Sequence, residues 1–144
     1  MTPKKYLMQY RKYMSDIVFY EAMKEEAILN VASLKSPTFG DRVHTSPEND
    51  PIGNLVFELE KDIAKYDMSI LACKIKLMMI DSQISKIRDI NEDYFKILSY
   101  KYKAGLDWQQ ISQKMFMGLS TVTHLHAPAL HKFDELFGHE YRNA

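Results

Sequence analysis

A chain of 144 residues with 19 basic and 19 acidic side chains fits one domain, or a small domain carrying an extended helical arm. Balanced charge argues against a chain that is basic throughout, as many nucleic-acid binders are, and leaves room for a local basic face. A single cysteine, Cys73, excludes an internal disulfide framework and points to a reducing cytoplasm, and the opening Met1-Thr2-Pro3-Lys4-Lys5-Tyr6 lacks the apolar core of a secretion signal.

Thr2-Pro3 has the form of a helix start, an N-cap hydroxyl before a first-turn proline. From there Tyr6, Tyr10, Tyr13, Ile17, Tyr20, Ala27, Val31 and Leu34 recur at heptad spacing, with Lys24 the polar interruption. This predicts an amphipathic helix to about Leu34. The tyrosines on its seam read as packing side chains with hydroxyls at the seam edge, in preference to a stacking platform for bases. Residues 35–50 then read as a loop, with Ser-Pro twice and Gly, Asn and Asp clustered. Within it Arg42 and His44 are assigned to the solvated surface.

The dominant pattern follows. Val56, Leu59, Ile63, Tyr66, Ile70, Cys73, Leu77, Ile80, Ile84 and Ile87 form an unbroken a/d row, which predicts one long helix from Pro51 to about Ile90 with a coiled-coil seam. It would be roughly 60 Å long at 1.5 Å per residue. Charges on its other faces exclude a membrane span. Two matching rows joined by a loop predict an antiparallel hairpin. Leu55, Met68, Leu71, Met78 and Met79 beside the long seam widen its apolar surface beyond one partner, and so predict a homodimer.

The remainder is patterned differently. Asn91 caps a helix with Glu92 and Asp93 in its first turn and Tyr94, Phe95, Leu98 and Tyr102 on its apolar face, stopped by Ala104-Gly105. Asp107 and Gln110 form a capping box for a second helix with Trp108, Ile111 and Met115 inward. Met117-Gly118 is read as a tight turn. A last helix from about Leu119 to Leu136 turns Val122, Leu125, Ala129, Leu130 and Phe133 inward, with a kink or break expected at Pro128. Two short helices across a tight turn, behind a supporting helix, have the layout of a helix-turn-helix, whose second helix enters a DNA major groove.

The C-terminal run Asp107-Trp108-Gln109-Gln110-Ile111-Ser112, then Met115, then Thr121-Val122-Thr123-His124-Leu125-His126-Ala127-Pro128-Ala129-Leu130, resembles sigma-factor region 4. It resembles more closely the phage late-gene transcription regulators of the ArpU and RinA type. The segment from Ser36 to Pro47 looks like that family's connecting segment, and the resemblance covers nearly the whole chain. It implies a sequence-specific DNA-binding regulator of phage gene expression, working in the cytoplasm of a bacterial host, with the host RNA polymerase as a further partner. The chain departs from the family at four places. His124 stands where arginine is usual, Pro128 where arginine or another polar residue is common, Phe116 where glycine precedes the turn, and Gly118 where a serine caps.

The resulting expectation is an all-α chain: a helical hairpin or coiled-coil arm over residues 1–90 with its linker at 35–50, then a helix-turn-helix domain over residues 91–144. The partner is double-stranded DNA. Ser120, Thr121, Thr123, His124 and Ala127 form the reading face, and Gln109, Gln110 and Lys114 hold phosphates from the preceding helix. With no glycine-rich phosphate loop, nucleophile motif or recognisable carboxylate pair, no catalytic residue, cofactor or metal is assigned. His124, His126 and His131 invite a zinc reading, but Cys73 is distant and His124 and His126 fall on different helix faces. The alternative function is a non-enzymatic interaction module that binds RNA polymerase, a host factor or a virion component.

Overall fold

The computed structural model describes residues 1–36 and 50–142. Among them the chain is all-α: α1 (Pro3–Leu34), α2 (Pro51–Arg88), α3 (Glu92–Leu98) continued by a π-helical turn (Ser99–Lys103), α4 (Trp108–Met115) and α5 (Leu119–Tyr141). Most of the 35–50 loop, with Arg42, His44 and most of the segment resembling the family linker, lies outside the described residues.

The helix starts follow the local chemistry. Lys5 N–H donates to Thr2 Oγ1 at 3.2 Å and Gly53 N–H to Asp50 Oδ1 at 2.9 Å, each cap preceding a proline that has no amide hydrogen to satisfy. Asn91 Oδ1 accepts from Tyr94 N–H at 3.2 Å. Lys86 and Arg88 occupy the last turn of α2, where cations oppose the negative end of the helix dipole.

The chain divides into two compact units: Met1–Met14 together with the chain from Ile75 onward, and Ser15–Lys74. The divisions fall within both long helices, and the boundary expected after Ile90 lies inside the first unit. In the second unit the two helix segments run antiparallel. As α1 advances from Lys24 to Lys35, its ion-pair partners retreat from Asp67 (2.6 Å) to Glu60 (2.9 Å). This pairing is thin, with Ala27 and Ile70 its buried apolar side chains.

The first unit holds the main core. Leu7 and Tyr10 of α1, Ile80, Ile84 and Ile87 of α2, Leu98 and Tyr102, and Ala129, Phe133, Phe137 and Tyr141 of α5 form one buried cluster. The α1 and α2 segments here are also antiparallel. The Tyr6 hydroxyl donates to Gln83 Oε1 at 2.7 Å, and the Tyr10 hydroxyl to Asp81 Oδ2 at 3.4 Å. Gln83, a buried polar residue, donates in turn to the Glu140 carboxylate, so its amide is satisfied on both sides, as burial requires. Tyr6 stacks on Tyr141 with ring centres 4.3 Å apart. Every a/d residue of both long rows is buried or half-buried.

The π-turn was not anticipated. Ala104 N–H bonds the Ser99 carbonyl at 3.0 Å, an i to i+5 closure, and the added residue per turn re-aims the side chains that follow. Tyr102 goes into the core while Lys101 lies over the Trp108 ring, 4.7 Å from its centre. Gly105 then takes φ +70°, the left-handed conformation that suits glycine at a helix end.

Candidate nucleic-acid interface

Between α3 and α4 the chain is closed by the expected capping box: Gln110 N–H donates to Asp107 Oδ1 at 2.8 Å and Asp107 N–H to Gln110 Oε1 at 3.0 Å. The turn between α4 and α5 is made differently from the expected Met117-Gly118 form. Phe116, at φ 54° and ψ 40°, is the left-handed residue, whereas Gly118 is an extended N-cap at φ −64°. Met117 N–H bonds the Ser112 carbonyl at 3.2 Å and Phe116 N–H the Gln113 carbonyl at 3.4 Å. This is a Schellman closure with phenylalanine in the usual glycine position. Ser112 Oγ donates to the Met117 carbonyl at 2.5 Å and ties the turn down. The Phe116 ring is 95% exposed.

Helix α5 continues unbroken through Pro128 to Tyr141, so the expected break is absent and the helix is longer than predicted. Proline nevertheless cannot donate to the His124 carbonyl. The buried row Val122, Ala129, Phe133 and Phe137 holds α5 to the core and fixes which side chains face outward.

All eight assigned residues, Gln109, Gln110, Lys114, Ser120, Thr121, Thr123, His124 and Ala127, are exposed. Ser120, Thr121, Thr123, His124 and Ala127 lie in the first three turns of α5. Some of their bonding capacity is used locally. The Thr123 hydroxyl lies 3.0 Å from both the Leu119 and the Ser120 carbonyls, leaving its oxygen as an acceptor. Ser120 Oγ lies 3.4 Å from His124 Nδ1. Gln110 spends its carbonyl oxygen on the capping box and keeps its amide hydrogens for a ligand. Gly118 offers no side chain to cap α5, so first-turn amides of that helix depend on solvent or a ligand.

Two contributions escaped sequence reasoning. His126 is half-buried, with Nε2 2.6 Å from the Tyr102 hydroxyl and its ring edge-on to Trp108 at 4.7 Å. Burial lowers its pKa, with Lys4 and Lys101 pushing the same way. The second is charge distribution. Within the boundaries given above, the first unit carries 13 basic and 8 acidic side chains, a net of +5, and the second 6 and 11, a net of −5. The neutral total hides a basic unit that contains α4 and α5. Met1–Met14 holds Lys4, Lys5, Arg11 and Lys12 and no acidic residue, a signal visible only once that segment is known to join the C-terminal half.

No protein-family model matches the chain, and no solved structure matches it. Among curated proteins it is similar to a probable Rho-GTPase-activating protein 9 of Schizosaccharomyces pombe, 24% identical over 127 residues that cover 88% of this chain and 18% of that protein. The chain thus spans less than a fifth of the length of that relative. Among the described residues no helix is long and apolar enough to cross a membrane.

Proposed function

We propose that the protein is a DNA-binding transcription regulator of the phage late-gene type, in which α5 enters the major groove and α4 crosses the backbone. The observation that carries this reading is the pairing of an exposed, polar first half of α5 with a net charge of +5 on the unit that presents it. Hydroxyls and an imidazole read base edges, the Thr123 methyl and Ala127 meet thymine methyls, and the basic unit supplies the sequence-independent attraction to phosphate. Without arginine on the reading face, a single copy contributes few strong base contacts, and a second copy doubles them.

Replacing both Thr123 and His124 with alanine tests the reading. The expected result is a folded protein that has lost its preference among DNA sequences, since neither side chain belongs to the buried row of α5. Selection of the same sites with unchanged affinity would remove α5 from the role of reader.

A second reading, a helical interaction module for RNA polymerase, a host factor or a virion component, is favoured by one observation. Phe57, Met68 and Leu71 of α2 and Val18 and Leu29 of α1 are each more than half exposed on a unit of net charge −5. Apolar rows of this kind mark association surfaces. Association of the protein with RNA polymerase in the absence of DNA, lost on substituting Met68 and Leu71 by serine, would favour it.

A further inference from the structure

The start of α1 and the π-turn enclose a concavity of about 430 Å³ lined by Lys4, Met8, Arg11, Lys101 and Tyr102. Its lining holds three cations and no carboxylate. None of these three cations forms an ion pair among the described residues, whereas the neighbouring Lys103 is held by Asp81 at 2.6 Å. Like charges converging on one concave surface repel unless an anion sits between them, and this arrangement needs a structural cause to persist. The fold supplies it. Arg11 Nη1 donates to the Ala104 carbonyl at 2.8 Å, fixing its guanidinium against the end of the π-turn. Lys101 is steadied on the face of Trp108. Tyr102 of the lining bonds His126 of α5 and Lys101 lies over Trp108, so the concavity adjoins α5 as well as the first residue of α4.

We propose that this concavity is a seat for one phosphodiester group of the DNA backbone. Lys4 and Lys101 supply charge, Lys101 from its place over Trp108, and Arg11 presents its remaining N–H groups from a fixed position. The proposal rests on the DNA-binding reading and deepens it, because no residue of this cluster belongs to α4 or α5. The clamp is delivered by the beginning of the chain and by the π-turn, and through Trp108 and His126 it is registered against both helices of the helix-turn-helix. Met8 and Tyr102 give the seat an apolar side that fits the sugar flanking a phosphodiester, a feature a free inorganic ion would not use.

The test is a Lys4→Gln, Lys101→Gln double variant of the full chain, with Lys12→Gln as a control outside the concavity. Binding to a selected duplex and to a random duplex is followed across a salt series. Two lost phosphate contacts reduce the slope of log affinity against log salt by roughly 2 and weaken binding about ten-fold at moderate salt, equally for both duplexes. The control changes little. A Lys4→Arg, Lys101→Arg variant, which keeps the charge, restores most of the affinity. Unchanged slope and affinity in the glutamine variant, with the wild type binding normally, would overturn the seat and leave α5 as reader intact. An equal loss in the Lys12 control would also overturn it, by showing diffuse attraction. Loss of sequence preference in the Thr123, His124 variant does not bear on the seat, whereas failure of the wild type to bind any duplex overturns both readings. Should the glutamine variant not fold, acetylation of wild-type lysines supplies the measurement. Lys4 and Lys101 become protected by a duplex and Lys12 does not, and absence of that protection would count against the seat. Millimolar inorganic phosphate that protects them as fully as DNA would assign the concavity to a free anion instead.

Discussion

The hydroxyl of Tyr102 lies 2.6 Å from Nε2 of His126, joining the π-turn to α5 through a half-buried contact. Tyr102 is 3% exposed and its pKa is pushed up to about 12 by burial, so the phenol keeps its proton at neutral pH. Burial opposes protonation of His126, and Lys4 and Lys101 oppose it further.

A pH dependence follows, with its sign fixed by linkage. The folded pKa of His126 lies below the ordinary value of 6.5. Its contribution to stability is complete above 6.5 and is lost as pH falls from there through the folded pKa, where the unfolded chain binds the extra proton. Urea midpoints measured between pH 7.5 and pH 5 should fall on the acid side, and a His126→Gln variant should show a shallower decline. Equal slopes would place the acid sensitivity elsewhere.

At the other end of the scale the buried tyrosines act together. Burial and Asp81 raise Tyr10 to about 12, burial raises Tyr102 to about 12, and Tyr6 and Tyr141 are raised as well, first by burial. A raised folded pKa gives stability that is present below 10 and lost as pH climbs from 10 through 12. Alkaline titration followed by tyrosinate absorbance should show these phenols ionising with unfolding, and Tyr102→Phe should move the unfolding midpoint to higher pH.

Phe116 holds a left-handed backbone that costs an L-residue about 1–2 kcal/mol, and at 95% exposure its ring recovers little by packing. Phe116→Gly should stabilise the protein by roughly 0.5–1 kcal/mol after the greater chain freedom of glycine is subtracted, read as a higher urea midpoint. A loss of stability would mean that the ring makes contacts in solution that its exposure denies.

Pro128 leaves the His124 carbonyl without its helical donor while α5 runs on to Tyr141. Pro128→Ala should stabilise the protein by about 1–3 kcal/mol, at or below the usual penalty for an interior proline because the helix already accommodates the ring. Thermal unfolding of the two forms checks it.

Ile84 is fully buried although it sits on the long helix. Ile84→Ala should cost about 2–5 kcal/mol and should break the fold of the first unit, read as a lower urea midpoint. Leu71→Ala, at a residue 59% exposed, should leave the midpoint unchanged for an isolated copy.

Periodicity made much of this legible. The a/d rows identified the buried faces of both long helices, from Tyr10 to Ile84, and the Asn91 and Asp107 caps located two helix starts, because each is written in residues a few positions apart. What covers a face is not written locally. The row from Tyr6 to Leu34 gives one uniform stripe, yet Leu7 and Tyr10 pack with Phe133 and Phe137 while Lys24 and Lys35 pair along the hairpin. The π-turn left no sequence mark, since Ser99–Lys103 continues the spacing of α3 with one residue added. In the sequence His126 has a place only in the zinc reading with His124 and His131, because its partner Tyr102 is 24 positions away. All eight residues assigned from the sequence, Gln109 to Ala127, are exposed, because none of them falls on the apolar stripes of α4 and α5.

Tyr6 and Tyr141, stacked face to face, stand at opposite limits of the described chain. During synthesis at roughly 5–20 residues per second, the first waits on the order of ten seconds for the second to be made. Over that interval Leu7 and Tyr10 have only the α2 side of their cover, and the basic unit cannot close until α5 leaves the ribosome. A chain cut short before α5 would therefore carry the lysines and arginine of Met1–Met14 without the scaffold that aims them.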